Sequence, residues 1–247
     1  MRKYKRGKNS RIKKLLAGTL VLCMGMVLWA GCGSQSEEKQ TSQEETASSG
    51  KEEDKIQIGL TVDSFVIERW IRDRDVFVAT ARELGAEVNV QDAGADVQEQ
   101  ISQIEYFISK QMDVIVVIAR DCGILSDVIQ KAHNAGIPVI SYDRMINNAD
   151  TDFYISFDNR KVGEIMAQAL VDALPQGGDI FMIQGPLSDN NVHMLKEGFD
   201  DTLEDTNLNV VYEANCDGWT AELAVGYMEE ALEKYPHVKG IMCGNDD

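Results

Sequence analysis

Short apolar runs alternate with segments of helical periodicity from residue 56 onward. The runs of apolar or β-branched residues are 56–62, 87–91, 113–119, 137–142, 180–184, 210–213 and 238–242. Between them, apolar side chains recur at intervals of three and four residues, as at Val97, Ile101, Ile104 and Ile108 and again over 162–173, which predicts helices with one buried face. Repeated strand–helix units of this length predict an α/β fold in which helices cover both faces of parallel sheets.

The same pattern indicates two lobes. About 190 residues can form one large domain or two small ones. An additional strand-like run at 153–157 follows the run at 137–142 without a helical segment between them, which suggests that the chain crosses to a second lobe there. We therefore predict a first lobe over residues 55–158 and a second over 159–247.

An adjacent acid and base end the apolar run at 137–142. Asp143 and Arg144 follow it directly, and ligands of open α/β sheets lie beyond the carboxyl ends of such strands. A carboxylate only accepts hydrogen bonds, whereas a guanidinium only donates them. The pair suits an uncharged polyol, and the alternative is an exposed ion pair at a strand end.

Several motifs resemble the xylose-binding proteins of bacterial sugar transporters. They are SYDRMINNADTDFYISFDN (141–159), IERWIRDRD (67–75), ALVDALPQG (169–177), SDNN (188–191), DGW (217–219) and GND (244–246). The resemblance implies two Rossmann-like lobes with parallel sheets, joined by a hinge, with the sugar in the cleft: a type I periplasmic binding protein. Because the family pattern continues beyond the strand at 238–242, we expect the second lobe of this chain to be incomplete.

The resemblance also implies which residues hold the sugar. Polar contacts fall on Arg69, Asp143, Arg144, Asp189, Asn191 and Asn245, and the indoles of Trp70 and Trp219 would stack on the apolar faces of the ring. The alternative for either tryptophan is packing in the core. Residues 119–123 depart from the family pattern, and Arg120 and Asp121 there either alter the choice of sugar or pair with each other.

The N-terminus predicts export. Residues 1–31 contain eight of the 24 Lys and Arg, no acid and an apolar run over 15–30, and the sequence Ala-Gly-Cys at 30–32 follows directly, a signal peptide pattern. We expect cleavage before Cys32 and lipid attachment to its thiol, followed by a disordered polar tether over 32–54. An uncleaved signal anchor is the alternative, although the run is short for a transmembrane helix.

Charge and motif content exclude other functions. Without residues 1–31 the chain carries 16 Lys and Arg against 41 Asp and Glu, which opposes binding to nucleic acid. The first strand lacks the Gly-rich turn of dinucleotide-binding enzymes, and no nucleophile elbow follows any strand. The dispersed cysteines and histidines show no metal spacing. Cys122, Cys216 and Cys243 are expected to be buried thiols, with one disulfide among them left open.

We therefore expect a non-catalytic lipoprotein without a cofactor, held outside the cytoplasm by its lipid. As a monomer it would bind xylose or a close relative and deliver it to an ABC importer. In the alternative, the liganded protein docks on a membrane histidine kinase or chemoreceptor and acts as a sugar sensor.

Overall fold

A computed structural model describes residues 55–245, which form two α/β lobes with separate parallel sheets. This confirms the predicted fold class. The predicted signal peptide, Cys32 and tether lie outside the described residues. In chain order the strands and helices are β1 (Gln57–Val62), α1 (Glu68–Glu83), β2 (Glu87–Asp92), α2 (Val97–Ser109), β3 (Val114–Val117), α3 (Ser126–Asn134), β4 (Val139–Tyr142), β5 (Phe153–Ile155), α4 (Asn159–Ala173), β6 (Gly178–Gln184), α5 (Asn190–Leu203), β7 (Leu208–Asn215), α6 (Ala221–Lys234) and β8 (Gly240–Cys243).

The first sheet has the strand order β2-β1-β3-β4-β5, and every pairing in it is parallel. Alternate side chains of β3 point to opposite faces, as strand geometry requires. Ile115 and Val117 pack with α2 and α3, whereas Val116 packs with Trp70 of α1. The strand-like run at 153–157 supplies the edge strand β5, so the chain leaves the first sheet only after this strand.

The second sheet has the order β7-β6-β8 among the described residues, again with parallel pairing. Its core combines Ile180 and Met182 of β6 with Phe199 of α5 and Met242 of β8. Asn190 and Asn191 begin helix α5, and Asp189 caps that helix by accepting a hydrogen bond from the backbone N–H of Asn191 at 2.9 Å. No helix within residues 55–245 is long and apolar enough to cross a membrane.

Helices α4 and α5 approach each other closely through two glycines. A Cβ atom built on Gly163 would lie 1.9 Å from the carbonyl oxygen of Leu195, and one built on Gly198 would lie 2.0 Å from that of Arg160. Backbone atoms cannot yield as a flexible side chain can. The contact therefore requires glycine at both positions.

We expect Gly163→Ala to lower the free energy of unfolding by about 1–3 kcal/mol, because the added methyl group forces the helices apart. Urea denaturation measures the change. Gly226→Ala is the matched control, since this exposed glycine of α6 has open space around it and alanine stabilises a helix by about 0.5–1 kcal/mol relative to glycine. Equal effects of the two substitutions would show that the helix contact does not depend on Gly163.

Candidate functional site

The carboxyl ends of the strands of both lobes meet at a cavity of about 330 Å³. Residues after β1 and β4 approach it from the first lobe, and residues after β6, β7 and β8 approach it from the second. The structure brings together at this cavity all eight residues that the sequence suggested as sugar contacts: Arg69, Trp70, Asp143, Arg144, Asp189, Asn191, Trp219 and Asn245.

Arg144 links the two lobes through buried ion pairs. Its Nη1 donates to Asp63 Oδ2 at 2.6 Å and to the carbonyl oxygen of Ala119 at 3.0 Å, and its Nε lies 2.8 Å from Asp189 Oδ2. Asp63 belongs to the first lobe and Asp189 to the second. All three charged side chains are at most 3% exposed, so this guanidinium is the charged centre of the contact between the lobes.

Asp143 makes a second link between the lobes. Its Oδ2 accepts from Arg69 Nη2 at 2.5 Å, and its Oδ1 accepts from Asn191 Nδ2 at 2.9 Å. Desolvation opposes the charged form of Arg69, but the carboxylates of Asp143 and Asp73 outweigh it and raise the pKa of the guanidinium. Arg69 therefore stays charged at any physiological pH.

Two of the cavity residues have an unusual backbone conformation. Asp143 has φ +64° and Trp219 has φ +57°, the left-handed region that non-glycine residues rarely occupy. Trp219 ends a short 3-10 helix, Asp217–Trp219, just before α6. Strained residues of this kind cluster at ligand sites, where the surrounding structure holds them in place.

Asp189 has three roles at once. Besides capping α5 and pairing with Arg144, it accepts a hydrogen bond from the indole Nε1 of Trp219 at 3.1 Å. Burial raises the pKa of the Asp189 carboxyl, while the charge of Arg144 and the hydrogen bonds from Asn191 and Trp219 oppose the shift. The second lobe thus holds its carboxylate and its tryptophan in one fixed arrangement.

The two tryptophans have different surroundings. The guanidinium carbons of Arg69 and Arg144 lie 4.4 Å and 5.4 Å from the ring centroid of Trp70, within cation–π range. Trp219 packs on backbone, because a Cβ at Gly185 would lie 2.3 Å from its ring. Both rings line the cavity, but Trp70 is also part of the core of the first lobe.

Arg120 pairs across the cleft instead of with Asp121. Its Nη2 lies 3.4 Å from Asp217 Oδ1 in the second lobe, and its Nε lies 3.8 Å from Asp63 Oδ1. Asp121 accepts a hydrogen bond from the backbone N–H of Gly123 at 2.8 Å. Residues 119–123 therefore contribute a further polar contact between the lobes through Arg120.

Sequence reasoning missed three polar residues of the site. Asp63 directly follows an apolar strand, and this position was the available signal. Asn159 begins α4 and donates from Nδ2 to Asn191 Oδ1 at 3.1 Å, while Gln184 ends the apolar strand β6 and lines the cavity. Both looked like ordinary members of their helix and strand.

The three cysteines of the described residues are free thiols. Cys122 and Cys216 are buried, and Cys243 is exposed, so the expectation of buried thiols is wrong for Cys243. Desolvation raises the pKa of all three thiols, including that of Cys243, whose sulfur is partly shielded from water although the residue is exposed. They are therefore protonated at neutral pH and poor nucleophiles.

Comparison with known proteins identifies the family. A model of the periplasmic binding protein domain matches residues 58–247. The chain is 43% identical over 196 residues to the D-xylose-binding periplasmic proteins of Escherichia coli (strain K12) and Haemophilus influenzae (strain Rd), and each alignment covers 77% of this chain and 59% of the relative. The chain thus spans about three fifths of the length of these relatives.

A solved structure shows the same architecture. An ABC transporter solute-binding protein from Clostridium phytofermentans, crystallised with bound β-D-glucose, superposes with a TM-score of 0.72 at 28% identity, covering 77% of this chain and 65% of that chain. The domain match extends over both lobes, and the polar residues at the ends of their parallel strands converge on one cleft. The chain belongs to the periplasmic binding protein family.

Proposed function

We propose that this protein binds a monosaccharide, D-xylose in preference to others, between its lobes and delivers it to an ABC importer. The observation that carries the proposal is the composition of the cleft. Buried carboxylates from both lobes, the buried guanidinium of Arg144 and the half-exposed guanidinium of Arg69 surround a cavity that two tryptophans also line. Such a cavity offers hydrogen-bond donors, acceptors and flat apolar surfaces, which are what a sugar ring requires.

The charges of the cleft favour a neutral ligand. Asp143 is paired with Arg69, and Arg144 lies between Asp63 and Asp189. A charged ligand would leave one of these buried groups without its counter-ion, at a high cost in free energy. A hydroxyl group adds hydrogen bonds to the existing pairs without changing their charge balance.

The size of the cavity favours one sugar ring. Its volume of about 330 Å³ is near the lower end of the roughly 300–1,000 Å³ that is typical of small-molecule sites. Among the sugars, xylose is favoured because relatives that are 43% identical are named for binding D-xylose. Binding rather than catalysis is the proposed role.

Ligand binding would be coupled to the closing of the lobes. The groups of the cavity come from both lobes, so they surround a sugar only when the lobes are together. A ligand that interacts with both lobes shifts the equilibrium toward the closed form. An importer can then distinguish the loaded protein by its shape.

Isothermal titration calorimetry on the mature protein tests the proposal. We expect D-xylose to bind more tightly than D-ribose or D-galactose. A clear preference for another monosaccharide would overturn the choice of xylose and leave the sugar-binding role. Failure of every pentose and hexose to bind would overturn that role.

Uptake of labelled xylose by cells with and without the gene identifies the partner. If deletion of the gene lowers uptake, the partner is an importer. If deletion changes a signalling response and leaves uptake unchanged, the partner is a histidine kinase or chemoreceptor.

Arg144→Ala should weaken xylose binding by tenfold or more. Hydrogen bonds that involve a charged group contribute about 1.5–3 kcal/mol, and about 1.4 kcal/mol corresponds to tenfold. The thermal midpoint should also fall, because Asp63 and Asp189 lose their common counter-ion. Arg144→Lys keeps the charge and serves if the alanine variant does not fold. Arg72→Ala, at an exposed ion pair with Glu68, is the control and should change neither value; an unchanged xylose Kd in a folded Arg144 variant would contradict a ligand role.

We also propose that Cys32 is the lipid-modified N-terminus of the mature protein and anchors it outside the cytoplasm. The basic head, the apolar run and the Ala-Gly-Cys ending support this, and two or more acyl chains give stable anchoring. Mass spectrometry of membrane-extracted protein should find an acylated N-terminal Cys32. An unmodified Cys32, or a mature protein that begins elsewhere, would refute it, and Cys32→Ser should abolish processing.

A further inference from the structure

Gln184 has an amide that the fold does not satisfy. It is the last residue of β6, the central strand of the second sheet, and lines the cavity with only 5% of its surface exposed. Its Nε2 donates to the thioether sulfur of Met182 at 2.9 Å, and its Oε1 has no hydrogen-bond partner. A thioether is a weak acceptor. The amide therefore lacks good partners on both of its polar atoms.

Such an amide destabilises the protein in the absence of a ligand. A buried acceptor without a partner loses its hydrogen bonds to water and gains none in return. A methionine of similar shape would fill the same space without that loss. The energetics of the fold alone therefore give no reason for glutamine at this position.

The first lobe presents a complementary group to the same cavity. Three buried side-chain polar atoms lack a hydrogen-bond partner within residues 55–245: Asp63 Oδ1, Trp70 Nε1 and Gln184 Oε1. Trp70 and Gln184 both line the cavity. The indole N–H is a donor only, so the first lobe contributes an unsatisfied donor and the second an unsatisfied acceptor.

We propose that Gln184 is a specificity-determining ligand contact, whose amide binds a hydroxyl of the bound sugar, with the Trp70 indole N–H as its counterpart in the first lobe. A hydroxyl both donates and accepts, so one sugar hydroxyl can donate to the unpaired Oε1 of Gln184 and accept from the Trp70 indole N–H. This inference rests on the proposed sugar-binding function. It adds a contact to the eight residues that the sequence suggested.

The contact predicts discrimination by hydroxyl position. A site built to hydrogen-bond a hydroxyl rejects an analogue that lacks it, because a buried polar group is then left unpaired. The monodeoxy derivative of D-xylose that lacks the hydroxyl at Gln184 should bind the wild-type protein about tenfold more weakly than D-xylose. In Gln184→Met the same derivative should lose nothing further relative to D-xylose.

The experiment is titration calorimetry of D-xylose and its monodeoxy derivatives against the wild type, Gln184→Met and the control Gln168→Met. Gln168 lies on the exposed face of α4, where it donates to Asp172, so its substitution should leave every affinity unchanged. Gln184→Met should bind D-xylose about tenfold more weakly than the wild type does. In this variant one monodeoxy derivative should bind as well as D-xylose, whereas the other derivatives should still bind more weakly than D-xylose. This double-mutant cycle isolates the contact between the amide and the hydroxyl.

Thermal unfolding without sugar separates a ligand role from a structural one. The ligand role predicts that Gln184→Met has the same or a higher Tm, because an unsatisfied polar group is removed. A Tm lowered by several degrees would overturn the proposal. The proposal would also be overturned if Gln184→Met bound D-xylose as tightly as the wild type and retained the affinity loss for every deoxy derivative. The proposed function would then still stand. Absence of sugar binding to the wild type would overturn the proposed function and this inference together.

Discussion

The buried guanidinium of Arg144 holds the site together. A charge removed from water is tolerated only beside its counter-ions, with its remaining donors satisfied. Asp63 and Asp189 come from different lobes and both approach this one side chain. Because Arg144 and Asp189 lie in different lobes, opening the cleft would separate this ion pair and expose both charges to water. The contact between the lobes is therefore electrostatic at its centre.

The sequence predicted the parts of the fold that periodicity governs. Strands were recognised because buried parallel strands are continuous apolar runs, and α2 because its buried face recurs every three or four residues. The approach of α4 to α5 was not predicted. A glycine in a helical segment does not show which backbone it will contact, and the positions of Gly163 and Gly198 become meaningful only when both helices are in place.

The candidate site was predicted unevenly, for a similar reason. Asp143 and Arg144 were visible because charge directly follows an apolar strand, and the other contacts were carried over from a family resemblance. Asp63 lies 81 positions before Arg144, so nothing local connects them. Gln184 ends a run of apolar residues and looks like the end of a strand. Its importance lies in a missing partner, which only three-dimensional structure reveals.

The glycine contact between α4 and α5 has a mechanical consequence. Because their backbones are in contact at Gly163 and Gly198, the two helices cannot slide past each other there without a clash, so they should move as one rigid unit. Asp189 and Asn191 lie at the beginning of α5, and Asn159 at the beginning of α4. A small rotation of the helix pair about the segment that precedes α4 would therefore move Asn159, Asp189 and Asn191 together. Their spacing would be set by the helix pair and would stay constant throughout the swing.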